Sequence, residues 1–260
     1  MGRGGRWPRM CVMGPFKDHF SSGSERYTKY RPSYPRALFA HLASLAPSHG
    51  CAWDCATGNG QAAVGLASFF NEVRATDASR QQIAVAVEHP RVRYAVAPAE
   101  SSGLAPGSTD LISIAQALHW LPLEAFYAEV RRVARSEAVV AAWCYEIAAI
   151  ETEVDAIVAH LYHDIVGEFW PPERKSIEQR YETIPFPFDP LPVPGLRMEA
   201  HWTLPEWLGY LGTWSAVRRY TERHDRDPLA LIEDDLSTAW GDPAMRRVVR
   251  WPLHVRLGRL

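Results

Sequence analysis

Cysteine is scarce in this chain: four residues, Cys11, Cys51, Cys55 and Cys144, in a total of 260. None has the paired spacing of a zinc site, and Cys51 and Cys55 stand too far apart for a redox CxxC pair. They are expected to be free thiols buried in the strands of a cytoplasmic protein. Net charge is almost as scarce. The 28 basic residues nearly cancel the 30 acidic ones, leaving −2 at pH 7. That excludes the basic stripe of a nucleic-acid or anionic-membrane binder. No apolar run approaches the roughly 18 residues that a bilayer-spanning helix needs. The opening MGRGGRWPRMCVMG carries arginines but no apolar stretch of signal-peptide length, so it does not read as a secretory leader. Residues 1–15 are expected to be a disordered extension, with Met13 a second plausible start. Internal repeats and low-complexity tracts are also missing.

What the chain does have is enough length for one large α/β domain, or for a core domain with a smaller insertion, without covalent staples. It also has ten tryptophans, seven of them after residue 140: Trp143, Trp170, Trp202, Trp207, Trp214, Trp240 and Trp251. Two readings stay open for these, a packed aromatic core or the flat wall of a small-molecule pocket.

Strand and helix patterns alternate from residue 35 to 145, as in a parallel sheet built of βαβ units. Pro35 opens a helix with Leu38, Leu42 and Leu45 on one side, which ends at Pro47–Gly50. Cys51–Cys55 reads as a buried strand, followed by a glycine loop and a helix from Gln61 to Phe69. Glu72–Thr76 is a second strand, ending at Asp77. Ser79 and Gln82 form a capping box for a helix with Ile83 and Val87 on one face. Val92–Val96, Thr109–Ala115 and Ala138–Trp143 are further strands, and Pro122 starts the helix of Phe126, Val130 and Val133.

Beyond residue 145 a long helix is expected over Ile147–Ile165, then a proline- and aromatic-rich stretch that excludes regular helix and central strand. Met198–Trp202 could form a sixth strand, Leu204–Ala239 reads as several short helices, and Val248–Leu257 has strand period. Pro252 is awkward within a central strand, so regular pairing is expected to begin at Leu253 or at a bulge there.

Chemistry concentrates at Asp54-Cys55-Ala56-Thr57-Gly58-Asn59-Gly60-Gln61, between a strand and a helix. Glycines at 58 and 60 allow a sharp turn and the approach of a ligand with no Cβ in the way. The helix start offers free N–H groups. The loop could equally be a tight turn without a ligand, and it also satisfies a relaxed GxGxxG/A dinucleotide pattern. Asp77, at the end of the next strand, stands where a carboxylate can accept both ribose hydroxyls, or is an exposed acid at a helix start. Loop and acid together point to a cofactor containing a nucleoside.

These segments resemble the class I S-adenosylmethionine-dependent methyltransferases, type 11 group, near the trans-aconitate methyltransferase-like proteins. Asp54-x-Ala56-x-Gly58-x-Gly60 looks like the family's acid-x-Gly-x-Gly-x-Gly loop with alanine for the first glycine, a change expected to be tolerated because that position need not have positive φ. Asp77 and Ala78 match the ribose end. Ala97-Pro98-Ala99-Glu100 looks like the segment bordering the adenine. Ala115-Gln116-Ala117-Leu118-His119-Trp120 is similar to the segment passing the methionine part of the cofactor. Phe20 and Tyr27 to Pro35, with Tyr30 and Arg31, resemble a lid over the cofactor. Leu211–Tyr220 and Val249–Gly258 look like the group's C-terminal half. Arg135-Ser136-Glu137 departs from the usual Pro-Gly-Gly turn, which puts the turn geometry in doubt.

The resemblance implies an α/β fold: a Rossmann-like seven-stranded methyltransferase sheet, mostly parallel with an antiparallel last strand, and a helical cap in the C-terminal half. It divides the chain into a lid (16–36), a cofactor-binding core (37–145), a cap (146–245) and a returning last strand (246–260). It implies S-adenosylmethionine as cofactor and S-adenosylhomocysteine as product. Phe20, Tyr27, Tyr30, Arg31, Asp54, Ala56, Gly58, Gly60, Gln61, Asp77, Ala78, Ala99, Glu100, Gln116, Ala117, His119 and Trp120 are the candidate cofactor contacts. Arg31 is the candidate ion-pair partner of the cofactor's carboxylate. The aromatic wall for the sulfonium falls to Tyr27, Tyr30, Tyr34 and Trp120.

His119, at the carboxyl end of a sheet strand, is either a general base or a neighbour that sets the shape of the site. Tyr34, Trp170, Trp207, Tyr210 and Trp214 are candidate substrate-lining residues, and Arg218 and Arg219 could attract an acidic acceptor. His160, His163 and Asp164 share a helix face but lack a fourth metal ligand nearby, so no metal is expected. The expected partner is a small-molecule methyl acceptor, taking the methyl group on oxygen, with a carboxylate one candidate. Neither nucleic acid nor membrane is expected, and the chain is expected to act as a monomer or homodimer. A binding protein that keeps the cofactor without turnover and a NAD-type Rossmann oxidoreductase are the alternatives. The second is weakened because residues after 145 do not supply another βαβ half.

Overall fold

The computed structural model describes residues 30–260. The proposed extension and the candidate contacts Phe20 and Tyr27 lie outside them. In chain order the elements are α1 (Arg36–Leu45), β1 (Cys51–Cys55), α2 (Gln61–Leu66), β2 (Glu72–Asp77), α3 (Arg80–Ala84), β3 (Val92–Val96) and β4 (Thr109–Ala115). They continue with α4 (Leu123–Val133), β5 (Ala134–Tyr145), α5 (Thr152–His160), α6 (Arg174–Glu178), β6 (Asp189–Pro190) and β7 (Arg197–Trp202). The last are α7 (Leu204–Leu211), α8 (Ser215–His224), α9 (Glu233–Trp240) and β8 (Arg247–Arg259).

The strands form one sheet in the order β3-β2-β1-β4-β5-β8-β6, with β7 pairing β8 beside that path. The first five are parallel, and β8 runs antiparallel to β5. This is the Rossmann-like sheet expected, with short β6 and β7 added on β8. The centre reads as continuous apolar strand because both faces are covered: β4 is buried from Thr109 to Ile114 and β5 from Ala138 to Tyr145. On one face Trp143, Trp207, Trp240 and Trp251 pack with Leu38, Leu42 and Leu66; on the other Trp53 packs with Ile112, Phe126 and Tyr181.

β8 resolves the proline problem by changing partners. Its first half pairs β7 from Arg247 to Pro252, and its second half pairs β5 from Leu253 to Arg259. Pro252 closes one ladder and Leu253 opens the next, so the missing N–H falls at the junction.

Three helices are shorter than their apolar pattern suggests. Ile147–Ile150 is not helical, because Ala149 exchanges both backbone hydrogen bonds with Arg250 (2.8 and 2.9 Å) and Ile150 N–H donates to Asp155 Oδ1 (2.8 Å). The helix therefore begins at Thr152, and a π-helical turn over Leu161–Ile165 follows it. α3 is capped by Ser79, whose side chain accepts from the Gln82 N–H, but it stops at Ala84. Val87 lies beyond it and is exposed, because its N–H reaches back to Asn59 O at 3.0 Å. α2 likewise ends at Leu66, before Phe69.

Candidate functional site

The glycine loop leaves β1 at Cys55 and is pinned by the neighbouring strand: Thr57 N–H donates to Thr76 O (3.0 Å), and Gly60 N–H to Thr57 O (3.0 Å). Ala56 has φ +53, so the substitution there is not conformationally free as expected; alanine occupies a left-handed position that glycine would take without a steric cost. The same holds at Glu137, φ +64, where the turn before the inner part of β5 survives without its glycine. At Gly58 (φ +57) a Cβ would meet only Gln82 Oε1, 3.9 Å away, so that backbone is open to a ligand. Gly60 (φ +89) is different. A Cβ there would lie 2.1 Å from the Tyr94 hydroxyl, so the close neighbour it admits is a side chain of this protein.

Asp54 is fully buried beneath the loop, its carboxylate accepting from Ser113 Oγ (2.6 Å) and Thr57 Oγ1 (2.5 Å). Burial pushes its pKa up to about 6 in spite of those bonds. It braces the loop from below. Asp77 faces upward at the end of β2, its two oxygens accepting from Gly58 N–H (2.9 Å) and Ser79 N–H (2.8 Å). Gln61 begins α2, Ala78 follows Asp77, Ala99 is buried after β3, and Glu100 beside it is exposed. The backbone ties that segment to the loop, with Ala97 N–H donating to Asp77 O at 3.0 Å.

Across β1, the segment after β4 turns sharply at Gln116 (φ +56), followed by buried Ala117 and a 3-10 turn over Leu118–Trp120. The Gln116 amide donates to Tyr145 O (3.3 Å), while its Oε1 is buried with no partner among the described residues. His119 Nδ1 lies 2.8 Å from the Tyr181 hydroxyl. Burial, aided by the Arg174 cation, holds the imidazole at about 3, so it is neutral.

Gln116, His119 and Trp120 line a cavity of about 680 Å³ that also takes in Tyr145 at the end of β5 and the C-terminal helices, whereas the glycine loop, Asp77, Ala78, Ala99, Glu100 and Ala117 are not in its lining. Its lining brings together Tyr30, Arg31, Gln116, His119 and Trp120 from the cofactor candidates, and Trp170, Tyr210 and Trp214 from the substrate candidates. Arg31 donates to the Tyr145 hydroxyl (2.8 Å) and stands 5.6 Å from the Tyr210 ring centroid. Trp207 is not in the lining but fully buried, stacked on Tyr210. Tyr34 packs edge-on against Trp143 and Phe39. Trp202 sits against Trp207 and Trp251. Of the two arginines flagged for an acidic acceptor, Arg218 lines the cavity and Arg219 does not, donating instead to Phe169 O (3.1 Å).

The cavity also holds a cation that the sequence pattern did not single out. Arg174 stacks 4.8 Å from the Trp170 ring centroid and 5.4 Å from that of Tyr162, whose hydroxyl accepts from its Nε at 2.8 Å. It forms no ion pair among the described residues. Its four-residue spacing from Trp170 was the available signal, obscured by the intervening prolines. His160 pairs with Asp164 on an exposed face (2.8 Å), and no group of three His, Cys, Asp or Glu is placed to hold a metal among the described residues.

Residues 53–142 match the family described as Methyltransferase domain. Over 229 residues the chain is 32% identical to a protein of Dictyostelium discoideum named as a methyltransferase, covering 86% of this chain and 87% of that one. A Saccharomyces cerevisiae protein named as an S-adenosylmethionine-dependent methyltransferase is 29% identical over 131 residues, 47% of this chain and 45% of that one. The solved structure described as a type II methyltransferase from Anaeromyxobacter dehalogenans superposes with a TM-score of 0.84 at 51% identity, covering 88% of this chain and 98% of that chain. With fold and sequence shared over most of both partners, this chain belongs to the class I S-adenosylmethionine-dependent methyltransferases.

Proposed function

We propose that the protein methylates an oxygen of a small organic acid, held in the cavity beside the cofactor, with a carboxylate as the acceptor group. The observation that carries this reading is Arg174, a guanidinium facing the cavity with no acidic partner among the described residues. Arg218 also lines the cavity but pairs with Glu222 (3.8 Å), and Glu146, Asp227 and Glu233 share the lining, so Arg174 alone carries the reading. A planar fork of donors suits a carboxylate. The resemblance to trans-aconitate methyltransferase-like proteins points the same way.

The residues present fit the cofactor. Asp77 would take the ribose hydroxyls, with Ala78 beside it, and Ala99 and Glu100 would border the adenine. Gly58, Gly60 and Gln61 would offer backbone to the methionine part, and Ala117 and Trp120 would flank it. Arg31 would hold the cofactor's carboxylate, and Gln116 Oε1, which has no partner among the described residues, is suited to an ammonium donor. When bound, S-adenosylmethionine supplies a sulfonium methyl group to a nucleophile and leaves as a neutral thioether. With a carboxylate nucleophile the new O–CH3 bond forms as the S–CH3 bond breaks, and no proton has to be moved. The chain's own work is therefore alignment and exclusion of water: Tyr30, Trp120 and Tyr210 give an aromatic wall, and Arg31 and Arg174 orient anions at two points. The protein acts as a cytoplasmic monomer or homodimer, without nucleic acid.

Labelled methyl transfer to a panel of small acids, phenols and amines tests this. Transfer restricted to acids is expected, and transfer to amines alone overturns it. Calorimetry with S-adenosylhomocysteine and NAD side by side tests the cofactor contacts independently.

A further inference from the structure

Tyr181 is unusual in its backbone. It is fully buried with φ +61, directly after Arg180 at φ +55, so two consecutive side-chain-bearing residues adopt the left-handed region that bulky residues rarely enter. The surrounding structure holds it there. Its N–H donates to Ser176 O at 2.9 Å, and its carbonyl accepts from Arg256 Nη1 at 2.7 Å. Such strain persists only where neighbours over-determine it, and it is found at sites that do something. Here it delivers a phenol to the back of His119.

The hydrogen bonds at that phenol decide a tautomer. Tyr181 is fully buried, and the hydrogen-bond partner of its hydroxyl among the described residues is the His119 ring. Among the described residues the only acceptor for the Tyr181 proton is His119 Nδ1, at 2.8 Å. A buried hydroxyl proton left without an acceptor is costly, so Tyr181 donates and Nδ1 accepts. The ring proton must then sit on Nε2. That nitrogen has no partner among the described residues, and His119 lines the cavity.

We propose that Tyr181 is a positioning residue that holds His119 as the Nε2–H tautomer, so that His119 meets the methyl acceptor as a hydrogen-bond donor and removes no proton from it. The contact to the acceptor rests on the cavity being the acceptor site; the tautomer does not. Other titratable or charged groups near the pair are the Arg174 cation, the Cys144 thiol and the Tyr34 phenol. Burial raises Tyr181 well above the usual phenol range and depresses the imidazole, so both partners stay neutral through the physiological range.

The test is nitrogen NMR of the full chain labelled in histidine, with transfer rates for three variants. The His119 signals are expected to show a protonated Nε2 and an acceptor-type Nδ1, unchanged between about pH 5 and pH 8, where an ordinary histidine titrates. Tyr181→Phe should mix the tautomers. His119→Gln, whose amide can donate from near the Nε2 position, should keep transfer within about threefold, whereas His119→Ala should lose at least about tenfold. If Tyr181→Phe does not fold, the wild-type spectrum and the two His119 variants still decide. A ring proton found on Nδ1 overturns the tautomer. Equal losses in His119→Gln and His119→Ala, or a wild-type rate in His119→Ala, overturn the donor role.

Discussion

Replacing Arg174 by glutamine separates a substrate-orienting cation from a packing residue. Its Nε end is fixed by the Tyr162 hydroxyl, which itself donates to Glu178 (2.5 Å), and its planar face lies on Trp170. Truncating one member of a buried, hydrogen-bonded charge pair costs about 2–5 kcal/mol. Arg174 is only half-buried, so the low end applies, about 2–3 kcal/mol, or roughly 30- to 150-fold in kcat/KM. The loss should fall on acid acceptors and spare their amide analogues, which offer no charge to pair. Arg174→Lys should lie between, because an ammonium keeps the charge but not the fork. Stability should fall by only about 1 kcal/mol from the lost stacking, a Tm decrease of roughly 2–4 °C. The assay is labelled methyl transfer to matched acid and amide pairs, with S-adenosylhomocysteine affinity as the folding control. Equal loss on acid and amide, or no loss on either, refutes the assignment.

Asp77→Ala should weaken S-adenosylhomocysteine from micromolar binding, about −8 kcal/mol, by about 100-fold in calorimetry; undiminished affinity would remove Asp77 from the cofactor contacts. Glu129 accepts from Ser102 N–H (2.8 Å), Ser102 Oγ (2.5 Å) and Arg132 (2.6 and 2.7 Å), which hold its carboxyl at about 2. A depressed acid stabilises the fold above its ordinary pKa and loses that contribution as pH falls through its folded value. Wild type should therefore lose about 2–3 kcal/mol between about pH 5 and pH 2 that Glu129→Gln does not, measured by denaturant unfolding at each pH. A parallel pair of unfolding curves contradicts it. Gly60→Ala should cost about 3 kcal/mol, part from φ and part from the Tyr94 hydroxyl. Adding Tyr94→Leu should recover all but the roughly 1–2 kcal/mol of backbone strain, and simple additivity in the double variant would rule out the clash.

The cofactor half of the site was legible because its signals are local. Asp77 is at a strand end, Ser79 is a helix cap and Gly58 is a turn residue; each property depends on a few chain neighbours. Where a long-range contact intervened, the local pattern misled. Ile147–Ile150 carries helical apolar spacing, yet its backbone is claimed by Arg250, a hundred residues later. Val87 sits at helical spacing from Ile83, yet its N–H is drawn to the glycine loop. The Ala56 φ cannot be inferred from composition, because alanine is a residue that ordinarily avoids that region.

The tryptophans divide along the same line. Their number and their concentration after residue 140 are properties of the chain alone, as are the alternating strands and helices and the glycine loop with its acid. Which tryptophans are core and which are wall was decided only by packing. Trp207, Trp240 and Trp251 are sealed in the core, while Trp170 and Trp214 face the cavity. The same is true of the pairs that shape the chemistry. Tyr181 lies 62 residues from His119, and Arg174 lies far in sequence from every strand end of the cofactor site. Hydrophobic periodicity specifies which face of an element is buried, but not which distant element covers it. That choice is made by the complementary surfaces of the assembled sheet and cap.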